Sequence, residues 1–246
     1  MSIWEYANPK KFTETFSPVV PWAYGLAAVL LAVGLIWGFF FTPEAVNFGS
    51  TVKIIYVHVP TSFVAINAWA MMLITSLVWL IRRHHVSALA AKAAAPVGMA
   101  MTFLGLITGA IWGQPMWGCW WEWDPRLTAF LILFLFYFGY IALWQAISDP
   151  DVAADLTSVL CIVGSVFAFI SRYAINFWSQ SLHQGASLSM DAQENVSDVY
   201  WIPLVICLAG VAVLFIALVL QRTITEIRIR RISALSARAA RLQGEA

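Results

Sequence analysis

Six long apolar runs set the architecture of this chain before any single residue is considered. They cover about residues 22–41, 59–81, 93–112, 128–147, 156–177 and 200–220. A helix needs roughly 20 mostly apolar residues to cross the hydrocarbon core of a bilayer, and each run has about that length. In lipid, every backbone polar group must be satisfied inside the segment, which a helix does. The expected fold is therefore all-α: a polytopic integral membrane protein of six transmembrane helices joined by short loops. Composition agrees. Of 246 residues, 61% are hydrophobic and 11% charged, against about 25% charged in a soluble domain. The fifth run is the least uniform, because Arg172 and Asn176 lie near its end. No soluble domain or internal repeat is visible. Residues 1–246 read as one transmembrane unit, with a basic tail at 222–246. The first twenty residues carry Glu5, Lys10, Lys11 and Glu14 and have no apolar core, so no cleavable signal peptide is expected.

Six spans place both termini on one side, and the basic residues say which. Eleven of the 14 lie at Lys10, Lys11, Arg82, Arg83, Lys92 and the six arginines from Arg222 to Arg241. The other side holds three, Lys53, Arg126 and Arg172. By the positive-inside rule the termini are cytoplasmic. The connections at 42–58, 113–127 and 178–199 then face outward.

One of those connections is exceptional. Trp117-Gly118-Cys119-Trp120-Trp121-Glu122-Trp123-Asp124-Pro125-Arg126 holds four tryptophans in seven residues, with Trp112 just upstream. Trp117, Trp120, Trp121 and Asp124 stand at i, i+3, i+4 and i+7, and would line one face of a short interfacial helix. Aromatic belts are ordinary at membrane interfaces, but this one is denser than anchoring requires. Tryptophan offers broad apolar area with a polar N–H, which suits a flat aromatic ligand such as haem.

A haem needs axial ligands and partners for its propionates. Of four histidines, His58 and His183 fall on the outward side. Imidazole is a common haem ligand, and two can fill both axial positions. The plain alternative is an interfacial and a loop histidine of no special role. Pro60 follows His58 and is tolerated near a helix start. His84 and His85 follow Arg82 and Arg83 and read as a solvated cluster on the cytoplasmic side. For the propionates, Arg126 is the first candidate, with a local pair to Asp124 or Glu122 as its alternative. Lys53 and Arg172 are open, the latter with snorkelling to headgroups as its alternative.

Absences narrow the function classes. No Asp or Glu falls inside an apolar run, where ion-coupled transporters usually place them. No hydrolase constellation or phosphate-binding glycine loop occurs. Cys119, Cys161 and Cys207 stand far apart, against a disulfide framework or thiolate metal site. A bis-histidine membrane cytochrome that passes electrons and a small-molecule transporter remain as alternatives.

The segment Trp117 to Arg126 resembles the tryptophan-rich "WWD" signature of haem-handling membrane proteins in cytochrome c biogenesis. Within that group the chain is similar to the CcmC family. Ile54-Ile55-Tyr56-Val57-His58-Val59-Pro60, Gly113-Gln114-Pro115-Met116 and Leu182-His183-Gln184-Gly185 carry the resemblance further, over nearly the whole length. It implies a non-enzymatic role at the outer face of the bacterial inner membrane: binding haem b and presenting it to a periplasmic haem chaperone. It implies an ATP-binding-cassette ATPase with its membrane subunit, and a small single-span subunit, as further partners. It makes His58 and His183 the axial ligands. Trp117, Trp120, Trp121, Trp123 and Asp124 fall on the signature, and Arg126 closes it. Lys53 stands where the family pattern would put arginine, which loses two-pronged geometry. Cys119 occupies a variable position.

Overall fold

The computed structural model describes residues 3–46, 49–177 and 196–244. Two short elements lead in: a 3-10 turn at Ile3–Ala7 and the amphipathic helix α1 at Pro9–Phe16. The spans follow as α2 (Val19–Ile36, continued by a π-helical turn at Trp37–Phe41), α3 (Ile55–Arg82), α4 (His85–Trp117), α5 (Pro125–Ala146), α6 (Pro150–Phe177) and α7 (Asp198–Gly244). All six are long and apolar enough to cross a membrane. The chain is a multi-pass, all-helical membrane protein, with no strand among the described residues.

The helices overrun the apolar runs, most of all α7. It continues unbroken from the sixth run through the arginine-rich tail. At about 1.5 Å per residue, its 47 residues far exceed a hydrocarbon core of about 30 Å.

Helix α3 sits centrally and meets α4, α6 and α7, while α2 packs chiefly on α7. Close approach is set by small residues facing large ones. A Cβ at Gly98 would stand 2.4 Å from the Tyr137 hydroxyl, and one at Gly164 would stand 2.4 Å from the Trp69 ring. Packing and hydrogen bonds, rather than a difference in hydrophobicity, hold helices together in lipid. The buried Trp69 packs edge-on to Tyr137 at 4.6 Å. Its indole N–H donates to Cys161 O at 3.1 Å, and the Tyr137 hydroxyl donates to Ala65 O at 2.8 Å.

The eleven basic residues counted together above lie on α1, the α3–α4 turn, the start of α4 and the far half of α7. These segments meet at one end of the bundle. Phe12 of α1 packs on Val86, Leu89 and Ile227 there. His58, the tryptophan segment and Arg172 lie at the opposite end.

Candidate functional site

The tryptophan segment is not a helix. Trp117 ends α4, because Gly118 takes a left-handed conformation (φ 78°) and its N–H closes on Gln114 O at 3.0 Å. A glycine at this position is the common way to stop a helix. At the far side, Asp124 is the N-cap of α5: its carboxylate accepts from Leu127 N at 2.6 Å, and Pro125 fills the first helical position. Asp-Pro is a helix-start signal. The i, i+3, i+4, i+7 spacing therefore does not build one face, and residues 118–124 form an irregular bridge between two spans.

The bridge sorts its aromatic residues. Trp120 and Trp123 are 63% and 72% exposed. Trp121 is half-buried and meets Trp123 edge-on at 5.5 Å. Trp117 folds back toward Gly113 of its own helix. The buried indole N–H of Trp121, and that of Trp112 one turn before the bridge, have no hydrogen-bond partner among the described residues.

His58 lies in the first turn of α3, which begins at Ile55 rather than at the edge of the apolar run. Pro60 is thus inside the helix, where it removes the N–H that would reach Tyr56 O. The imidazole rests on one face of α4. Its Nδ1 stands 3.0 Å from Thr108 Oγ1, and Trp112 meets the ring edge-on at 5.7 Å. The backbone of Gly109 comes close beneath it, so that a Cβ there would lie 3.0 Å from Cε1.

Beside His58 is a small cleft of about 50 Å³. Ser62, Gly105, Arg126, Phe130 and Ser171 are among its lining residues. The cleft therefore joins the start of α3, the far part of α4, the start of α5 and the end of α6. Arg126 is close enough to both Asp124 and Arg172 to feel their charges, of opposite sign. The Ser62 hydroxyl is buried with no partner among the described residues. This volume admits water or a carboxylate, but is far below the roughly 300–1,000 Å³ of an ordinary organic-ligand pocket. A ligand as large as a porphyrin does not fit inside it.

The other predicted site residues are placed as follows. The Arg172 guanidinium lies over the Tyr173 ring at 5.4 Å. Lys53 is directed elsewhere: its ammonium donates to Phe39 O at 2.8 Å, closing the end of the first span. His183 lies outside the described residues. His84 is half-buried and serves as the N-cap of α4, accepting from Ser87 N at 3.1 Å. It is thus a structural cap rather than a purely solvated group. His85 faces Asp151 at 3.9 Å and packs on Trp79. Both lie at the basic end, far from His58.

Sequence reasoning missed Ser62, Thr108 and the capping role of Asp124. The last was legible in Asp124-Pro125. Thr108, Gly109 and Trp112, which meet the His58 ring, share one face of α4, but their contact with α3 leaves no mark in the spacing.

Fold and site together define a six-span membrane protein with a histidine, an arginine and an aromatic platform gathered at one end. A family model described as "CcmC: Heme exporter protein C" matches residues 2–238. The chain belongs to that family. It is 67% identical over 238 residues to the "Heme exporter protein C" of Rhodobacter capsulatus, covering 97% of this chain and 98% of that one. The Paracoccus denitrificans protein of the same name is 66% identical over the same shares. That of Escherichia coli is 36% identical, over 89% of this chain and 87% of that one.

Proposed function

We propose that this chain binds haem b as cargo at the His58 end of the bundle and presents it to a periplasmic haem chaperone during c-type cytochrome biogenesis. The observation that carries this reading is the convergence on His58. Trp112 leads into the tryptophan bridge and touches the imidazole; Arg126 follows the bridge and lines the cleft beside it. The residues suit the cargo. His58 and His183 are the axial ligands. Arg126 offers charge and donors to a propionate, with the orphaned Ser62 hydroxyl nearby. The exposed Trp120 and Trp123 offer apolar area to porphyrin and chaperone together. Haem brings the reactive chemistry. This chain orients it and excludes water from one face, which is a positioning role.

The family name of the relatives supports haem transport as the wider task. An ATP-binding-cassette ATPase, its membrane subunit and a small single-span protein are the proposed partners. The clustering of basic residues at the opposite end supports cytoplasmic termini and an outward tryptophan bridge in the inner membrane.

Two measurements test this. A reporter fused after Ala246 should be active only in the cytoplasm; periplasmic activity would invert the assignment. The purified protein should show a low-spin haem spectrum and co-purify with the chaperone. A stable haem spectrum with no chaperone contact would make it an electron-passing cytochrome instead.

A further inference from the structure

The hydrogen bonds of Thr108 decide the role of His58 Nδ1. Thr108 Oγ1 lies 2.6 Å from Leu104 O. Two oxygens this close need a proton between them, so the single hydroxyl hydrogen of Thr108 is directed at its own helix. A weaker branch of the same hydrogen reaches Gly105 O at 3.4 Å. Toward His58 the hydroxyl can then offer only a lone pair. The imidazole Nδ1, at 3.0 Å, must be the donor. In neutral imidazole a proton on Nδ1 leaves the lone pair on Nε2.

We propose that Thr108 is the positioning residue of this site: a relay from His58 Nδ1–H through the Thr108 hydroxyl to the Leu104 carbonyl locks the tautomer whose Nε2 ligates haem iron. The inference rests on the reading of His58 as an axial ligand, which it deepens. Metal-bound histidines generally hold their second nitrogen in this way, and loss of such a partner costs about 10–100-fold in metal affinity. The relay has a further property: its end is a main-chain carbonyl of α4, not a carboxylate. It orients the ring without adding negative charge to it. Gly109 and Trp112 hold the same ring by contact, so orientation is fixed from three sides.

The test uses the full chain with Thr108→Val, which keeps the shape and removes the hydroxyl, and Thr108→Ser, which keeps the hydroxyl. The first readout needs no haem. Nitrogen-15 NMR of histidine-labelled, haem-free protein should show His58, identified by the signal lost in His58→Ala, protonated on Nδ1. Thr108→Ser should preserve that tautomer and Thr108→Val should mix the two. Titration with haem should then show about 10–100-fold weaker binding for Thr108→Val and near-wild-type binding for Thr108→Ser. A wild-type signal protonated on Nε2 overturns the proposal. So does a Thr108→Val variant with wild-type haem affinity while His58→Ala has lost it. If His58→Ala itself binds haem as the wild type does, the axial-ligand reading fails, whatever Thr108 does.

Discussion

At the basic end of the bundle Asp155 receives both Arg83 and the Trp79 indole N–H, and Lys92 reaches Glu226 at 2.8 Å. At the His58 end the like-charged Arg126 and Arg172 stand within electrostatic reach of each other. Ser62 Oγ, Trp112 Nε1 and Trp121 Nε1 are buried there without a hydrogen-bond partner among the described residues. The basic end has orphans too, among them Thr13 Oγ1, Ser17 Oγ, Trp144 Nε1 and Arg230 Nη2, so unpartnered polar atoms do not separate the two ends. The difference lies in charge and exposure: the basic end pairs Arg83 and Lys92 with carboxylates, while the His58 end sets two arginines near each other beside the exposed Trp120 and Trp123.

If this contrast is correct, substitutions at the two ends should have different readouts. The largest effect is expected at His58. His58→Ala should abolish the low-spin haem signature and lower bound haem at least about ten-fold, with little change in thermal stability. Replacing His84 and His85 together should leave the spectrum unaltered. An unchanged spectrum in His58→Ala would remove the site from this end.

Next comes the Lys92–Glu226 pair. Lys92→Ala strips a partly buried carboxylate of a charged hydrogen bond and should cost about 1.5–3 kcal/mol in stability. Haem per folded protein should stay constant. A loss of haem without loss of stability would blur the division between the ends.

A smaller effect is expected at Asp124. Asp124→Ala removes an N-cap and should cost about 0.5–2 kcal/mol, while Asp124→Asn, an equally good cap, should restore it. If Asn fails where Asp succeeds in chaperone loading, the charge of Asp124 has a role beyond the cap.

The smallest effect belongs to His84. Burial holds its pKa below the ordinary value of 6.5, with the neighbouring His85 acting in the same direction. Its cap needs the neutral ring. The stabilisation is therefore fully present above pH 6.5 and is lost as pH falls through the lower folded value. His84→Asn should flatten that part of the stability–pH curve between pH 7 and 5. An unchanged curve would show that His84 does not set it.

Much of this was legible in the sequence, and the rest was hidden for identifiable reasons. Six apolar runs and the skew of basic residues were enough for the spans and for the grouping of sites by end. The spacing of Trp117, Trp120, Trp121 and Asp124 misleads, because it runs across Gly118, which ends one helix, to Asp124, which starts the next. Local backbone rules outweigh a side-chain pattern over so short a stretch. Charge alone leaves Lys53 open as a propionate partner. The nearer claim on it is Phe39 O, the open carbonyl at the end of the first span, a contact between residues that no sequence spacing reveals. Thr108 was invisible for the same reason: its meaning depends on α3 and α4 lying side by side.

The central claim is that the His58 end both holds and presents its cargo, with the exposed tryptophans serving presentation. The most direct test compares two quantities in a Trp120→Ala/Trp123→Ala variant: haem per purified protein and covalent haem on co-expressed chaperone. Burial against one tryptophan contributes about 1–3 kcal/mol, too little to empty a site held, as proposed above, by two imidazoles. The variant should keep most of its haem while chaperone loading falls about ten-fold or more. Equal and complete loss of both would make the bridge a haem pocket only, and normal values of both would reduce it to a membrane-interface belt; either result contradicts the claim.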